Sequence, residues 1–147
     1  MAKFEIVVGS VLGATEYVAD AVQEVLTENQ HTSTIHLTPK LSELDENATW
    51  IICSSTHGAG DLPENIEPFS KELLAKQFLN TNFIVIGLGD SSYDTFCYGA
   101  NKLEMLMTNT GAKQLIPAMH IDVLNHPIPE NIAVEYLETY LKNSNLG

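Results

Sequence analysis

A chain of 147 residues is expected to form one domain over 1–147, with a core large enough to fold alone and no room for a second. Nineteen acids against seven lysines and no arginine leave a formal net charge of -12. Such a surface repels nucleic acid and anionic membrane, whose binding needs a basic stripe, and suits a basic protein partner.

The first apolar run, about 4 to 8, reads as a strand. It begins almost at Met1, and no apolar run is longer than a strand, so neither a signal peptide nor a membrane span is expected and the expected compartment is the cytoplasm. The strand runs into Gly9-Ser10-Val11-Leu12-Gly13-Ala14-Thr15, after which Val18, Val22, Val25 and Leu26 recur at helical spacing. Strands are placed next at about 32 to 37 and 48 to 54. The third enters Ser54-Ser55-Thr56-His57-Gly58-Ala59-Gly60-Asp61, and Ile66, Phe69, Leu73 and Leu74 then mark a helix. A fourth strand, about 82 to 88, leads through Gly87-Leu88-Gly89-Asp90-Ser91-Ser92-Tyr93 to a helix on Leu103, Leu106 and Met107 that Gly111 stops. The fifth strand, about 114 to 121, contains Pro117, which cannot donate to a ladder and so places it at an edge. Pro129 opens a last helix on Ala133, Leu137, Tyr140 and Leu141.

Near-continuous apolar strands alternating with helices predict an α/β fold, a doubly wound five-stranded parallel sheet of order 2-1-3-4-5 with helices on both faces. The three loops then converge on the carboxyl ends of neighbouring strands, where open α/β sheets bind ligands. No Lys or Arg lies between Lys3 and Lys40, so an anion at the first loop must rely on backbone N–H groups, the hydroxyls of Ser10 and Thr15, and the dipole of the following helix. The bland alternative is a tight turn capped by Thr15. The second loop is too long for a simple connection, and its glycines let backbone approach a flat ligand, although Asp61-Leu62-Pro63-Glu64-Asn65 also reads as a plain helix start. In the third, Tyr93 can stack on a π-system or merely cover the core.

Other chemistries fit less well. The first loop lacks the Gly-Lys-Ser/Thr of a Walker A motif, and Gly87-Leu88-Gly89 has Ser92 where a dinucleotide fingerprint wants Gly or Ala. A phosphoaspartate receiver needs acids where this chain has Gly9, Ser10, Ser54 and Ser55. His120, Asp122 and His126 make a metal set only on paper, His31 and His36 belong to no constellation, and Cys53 and Cys97 read as buried free thiols. Asp20, Glu24 and Glu28 read as a solvated acidic face.

The segments Ser-Thr-His-Gly-Ala-Gly-Asp-Leu-Pro-Glu-Asn at 55 to 65 and Gly-Leu-Gly-Asp-Ser-Ser-Tyr-Asp-Thr-Phe-Cys at 87 to 97 resemble the two flavin loops of the flavodoxin family and of the FMN domains of diflavin reductases. The resemblance spans the chain. Within the family it is strongest to the short bacterial MioC proteins, which carry His in the second loop and a strand-five ending like Ile121-Asp122-Val123-Leu124-Asn125-His126. It implies FMN as cofactor, with phosphate binding by Ser10, Val11, Leu12, Gly13, Ala14 and Thr15, ring contacts from Ser55, Thr56, His57, Gly58 and Ala59, and further contacts from Gly89, Asp90, Tyr93, Phe96 and Cys97. Val11 and Leu12 stand where flavodoxins usually carry hydroxyls, so this loop leans on backbone. The function implied is that of a monomeric electron carrier, fed by an NADPH-dependent flavodoxin reductase and serving a basic-surfaced biosynthetic acceptor such as biotin synthase. An NAD(P)H-dependent quinone or azo reductase, and a flavin-free interaction module, are the rival readings.

Overall fold

The computed structural model describes residues 2–11 and 13–144. Its strands are β1 (Lys3–Gly9), β2 (Thr32–His36), β3 (Thr49–Ser54), β4 (Asn82–Gly89), β5 (Lys113–Gln114) and β6 (Met119–Asp122). Its helices are α1 (Ala14–Glu28), α2 (Glu67–Leu73), α3 (Tyr98–Asn109) and α4 (Pro129–Asn143). All ladders are parallel, in the order β2-β1-β3-β4-β5, with β6 also against β4.

Period-two alternation in strands buried on both faces feeds two cores. Phe4, Ile6 and Val8 of β1, with Ile51, Cys53, Ile84 and Ile86, meet Val18, Val22 and Leu26 of α1 and Ala133 and Leu137 of α4. Val7, Trp50, Ile52, Phe83 and Val85 meet Phe69 and Leu73 of α2 and Leu103 and Met107 of α3 on the other face. Leu74, grouped by spacing with the second helix, lies at its C-terminus and is 73% exposed.

The fifth strand departs from its expected span, because the run at about 114 to 121 is two strands. Gln114 pairs with Phe83 and Met119 with Ile86, so this edge advances five residues while β4 advances three, and two residues loop out. Pro117, without an N–H, lies in the gap, and its carbonyl accepts the Tyr136 hydroxyl at 2.6 Å. Burial and the nearby Glu104 push the Tyr136 phenol up, so it stays a donor.

His31 and His36 have structural partners. The Ala2 N–H donates to His31 Nδ1 at 2.9 Å, and burial, then the N-terminal charge, lowers the imidazole pKa. His36 Nε2 lies 2.9 Å from Oε1 of buried Glu5, whose Oε2 accepts the Asp45 N–H at 2.7 Å. Cys53 and Cys97 are buried free thiols.

Candidate functional site

The first loop leaves β1 at Gly9 and enters α1 through Gly13 at φ +88, a left-handed conformation that suits glycine. Gly13 N–H donates to Ser10 Oγ at 3.0 Å, tightening the turn. Glu16 and Tyr17 N–H turn back to the Gly13 carbonyl at 3.0 and 3.3 Å, whereas helix geometry leaves Ala14 and Thr15 N–H without an intrahelical acceptor. No side chain caps α1. Thr15 Oγ1, which would have done so in the bland reading, is buried without a hydrogen-bond partner among the described residues. An open helix N-terminus beside an orphaned hydroxyl is a seat for an anion.

The second loop is anchored to the first by Ser55 N–H on the Gly9 carbonyl at 2.9 Å, and to α3 by Gly99 N–H on Thr56 Oγ1 at 2.9 Å. Its tip closes as a small hairpin, with His57 N–H on Asp61 O at 2.7 Å and Asp61 N–H on His57 O at 2.8 Å. Gly58 stands inside it at φ +55.

In the third loop, Asp90 Oδ1 accepts Ser92 N–H at 2.9 Å and Ser92 Oγ at 2.6 Å, and Tyr93 N–H closes on Asp90 O at 3.1 Å. Ser91 N–H donates to Asp122 Oδ1 at 3.2 Å, which also takes Leu124 N–H at 3.1 Å. Hydrogen bonding from Ser91, ahead of the other causes, holds the Asp122 carboxyl below the usual range. A Cβ on Gly89 would lie 2.9 Å from Cys97 N and from Phe96 Cδ1, so only glycine fits under this loop. Burial, then the Asp122 charge, pushes the Cys97 thiol up to about 12, and it is uncharged at neutral pH.

The loops enclose a largely apolar cavity of about 680 Å³, a size suited to a small-molecule cofactor. Of the residues singled out from sequence, Val11, Ala14, Thr15, Ser55, Thr56, Gly58, Ala59, Gly89, Asp90, Tyr93, Phe96 and Cys97 line it. Ser10 and Gly13 are not among the lining residues and are bonded to each other. Leu12 lies outside the described residues. Leu88, Thr95 and Val123 also line the cavity, and Val123 sits there because it follows β6, its N–H on the Gly89 carbonyl at 2.8 Å.

His57 is not among the residues that line this cavity. Residues paired across an antiparallel bridge share a face, and His57 and Asp61 are among the residues lining a separate hollow with Glu64, Glu67, Lys71 and Lys102. One aromatic face of the cavity, that of the 65%-exposed Tyr93, therefore has no imidazole opposite it. Among the described residues no group of three or more His, Cys, Asp or Glu is arranged to hold a metal ion.

A family model described as Flavodoxin matches residues 6–132. Protein MioC of Escherichia coli (strain K12) is 40% identical over 143 residues, covering 96% of this chain and 97% of the relative. The MioC homolog of Haemophilus influenzae is 39% identical over 136 residues, covering 91% and 93%. Among solved structures, a cysteine-to-alanine mutant of flavodoxin from Pseudomonas aeruginosa superposes with a TM-score of 0.82 at 32% identity, covering 94% of this chain and 95% of that one. Oxidised flavodoxin 1 from Bacillus cereus, 20% identical, shares the fold with a TM-score of 0.85 over 98% and 100% of the two chains. With its sheet order, its three convergent loops and these likenesses, the chain belongs to the flavodoxin family.

Proposed function

We propose that the protein is an FMN-binding electron carrier of the MioC type, a single-domain monomer of the cytoplasm. It takes electrons from an NADPH-dependent flavodoxin reductase and passes them singly to a basic-surfaced biosynthetic acceptor such as biotin synthase. Homologues in the flavodoxin family bind FMN. The observation that carries the reading is Thr15 Oγ1, buried without a partner among the described residues where α1 opens into the cavity. A buried hydroxyl left unpaired costs about 1–3 kcal/mol, and a phosphate oxygen would remove that cost. FMN, and not FAD, suits a chain whose loops form one such anion seat among the described residues.

Bound FMN would supply reversible one- and two-electron chemistry. The chain's own residues would position and tune it. Thr15 and the first N–H groups of α1 would hold the phosphate, and Tyr93 would cover one face of the ring. The backbone of Gly58 and Ala59 would approach it closely, and the apolar walls from Val11, Leu88, Phe96 and Val123 would exclude water. Exposed Asp61, Glu64 and Asp94 surround these loops with negative charge that steers a basic partner. No helix of the described residues is long and apolar enough to cross a membrane.

Reconstitution of apoprotein with flavin, followed by anaerobic reduction under an absorbance spectrum, tests the reading. FMN is expected to bind, and its reduction is expected to need both NADPH and a flavodoxin reductase. Reduction by NADPH alone would assign a quinone- or azo-reductase activity instead. Recovery of FAD, or of no flavin after incubation with excess FMN, would remove the electron-carrier reading.

A further inference from the structure

Asn65 occupies the stretch that reads in sequence as a helix start, yet α2 begins two residues later and no side chain caps it. The Asn65 amide is used elsewhere. Its Oδ1 accepts the Ser10 N–H at 3.0 Å, and its Nδ2 donates to the Val8 carbonyl at 2.6 Å and to the Leu37 carbonyl at 2.9 Å. One side chain thus ties together the end of β1, the first residue of the anion loop and the residue that follows β2.

An amide can do this because it offers an acceptor and two donors in one plane. The Ser10 bond determines what the loop presents. With its N–H committed to Asn65, the Ser10 peptide is fixed in orientation, and the same residue's Oγ then receives Gly13 N–H at 3.0 Å. That second bond sets the left-handed turn at Gly13, and the turn in turn delivers Ala14, Thr15 and the orphaned Thr15 hydroxyl to the cavity. With no lysine or arginine in the loop to compensate, anion binding there depends on where backbone dipoles point. Asn65 itself does not line the cavity.

We infer that Asn65 is a positioning residue for the phosphate end of the cofactor: it pre-shapes the anion loop from behind and contributes to recognition of the phosphate but not of the ring. The inference rests on FMN being the ligand. Its signature is a difference between FMN and riboflavin, which share the ring and ribityl chain and differ only in the phosphate.

The test titrates wild-type, Asn65→Ala and Asn65→Asp apoproteins with FMN and with riboflavin by fluorescence quenching, alongside thermal melts by circular dichroism. Asn65→Asp keeps an acceptor for Ser10 N–H but sets a carboxylate against the Val8 and Leu37 carbonyls. Both variants are expected to lose FMN affinity at least tenfold while their riboflavin affinity stays within twofold of wild type. Equal losses for the two flavins, unchanged FMN affinity, or failure of both variants to fold would make Asn65 a general fold element and overturn the inference. Wild-type protein that binds neither flavin would instead defeat the reading of FMN as cofactor.

Discussion

Replacing Thr15 by Val separates the stability of the empty protein from its affinity for cofactor, because the two should move in opposite directions. The hydroxyl is buried and unpartnered among the described residues, so the apoprotein carries its desolvation cost without compensation. Removing such a group recovers part of a penalty of about 1–3 kcal/mol. A gain of about 1 kcal/mol would raise Tm by about 2–4 °C in a chain of this size. When phosphate is bound, the same hydroxyl donates to a charged acceptor, an interaction worth about 1.5–3 kcal/mol. Its loss therefore weakens FMN by about 10- to 150-fold at 1.36 kcal/mol per decade. Riboflavin, lacking the phosphate, should bind the variant as it binds wild type. Melting of the apoproteins and parallel titrations with both flavins supply the numbers. A Thr15→Val apoprotein that melts lower than wild type while binding FMN equally well would show that the hydroxyl is neither orphaned nor aimed at the anion.

Gly58→Ala isolates a backbone cost, since a Cβ there meets nothing within 4 Å while φ stands at +55. The variant is expected to melt a few degrees lower through about 1–2 kcal/mol of left-handed strain. If that strain falls unequally on the oxidised and one-electron-reduced proteins, the first potential shifts by tens of millivolts, at about 59 mV per 1.4 kcal/mol, which spectroelectrochemistry measures. Tyr93→Ala should weaken FMN by about 1–3 kcal/mol, by analogy with base stacking, while His57→Ala should change it little, because His57 lines the neighbouring hollow; apoprotein titrations that rank the two in reverse would place the imidazole against the ring. Burial raises both thiols from 9.0 to about 12, so folding opposes their ionisation. Their stabilising effect is complete below about pH 9 and is lost as pH climbs toward 12, so chemical denaturation midpoints should fall across that interval, and less steeply in a Cys53→Ala variant.

The sheet order and the convergence of three loops were legible because parallel strands leave unbroken apolar runs and glycines punctuate their carboxyl ends. Val18, Val22 and Leu26 announce α1 in the same way, by spacing that only a core-facing helix needs. What was not legible depends on partners remote in sequence. Pro117 marks an edge, but only the register against β4 shows that two residues must loop out. Leu74 continues an apolar pattern past the point where the helix ends. His57 carries the right chemistry in the right loop, but it pairs with Asp61 across the hairpin and lines the neighbouring hollow with it. Asn65 looks like helix-start punctuation because its partners Val8 and Ser10 lie 57 and 55 residues away.

The interruption between β5 and β6 also bears on how the protein behaves at high concentration. A long, flat border strand offers its unpaired N–H and C=O groups as a template on which another chain can assemble. Here that border is cut into pieces of two and four residues, offset by a proline whose carbonyl is already taken by Tyr136. Each piece is a poor template for such pairing, so the residue that spoils the regularity of this border also blunts it, leaving the five residues of β2 as the sheet's longer edge.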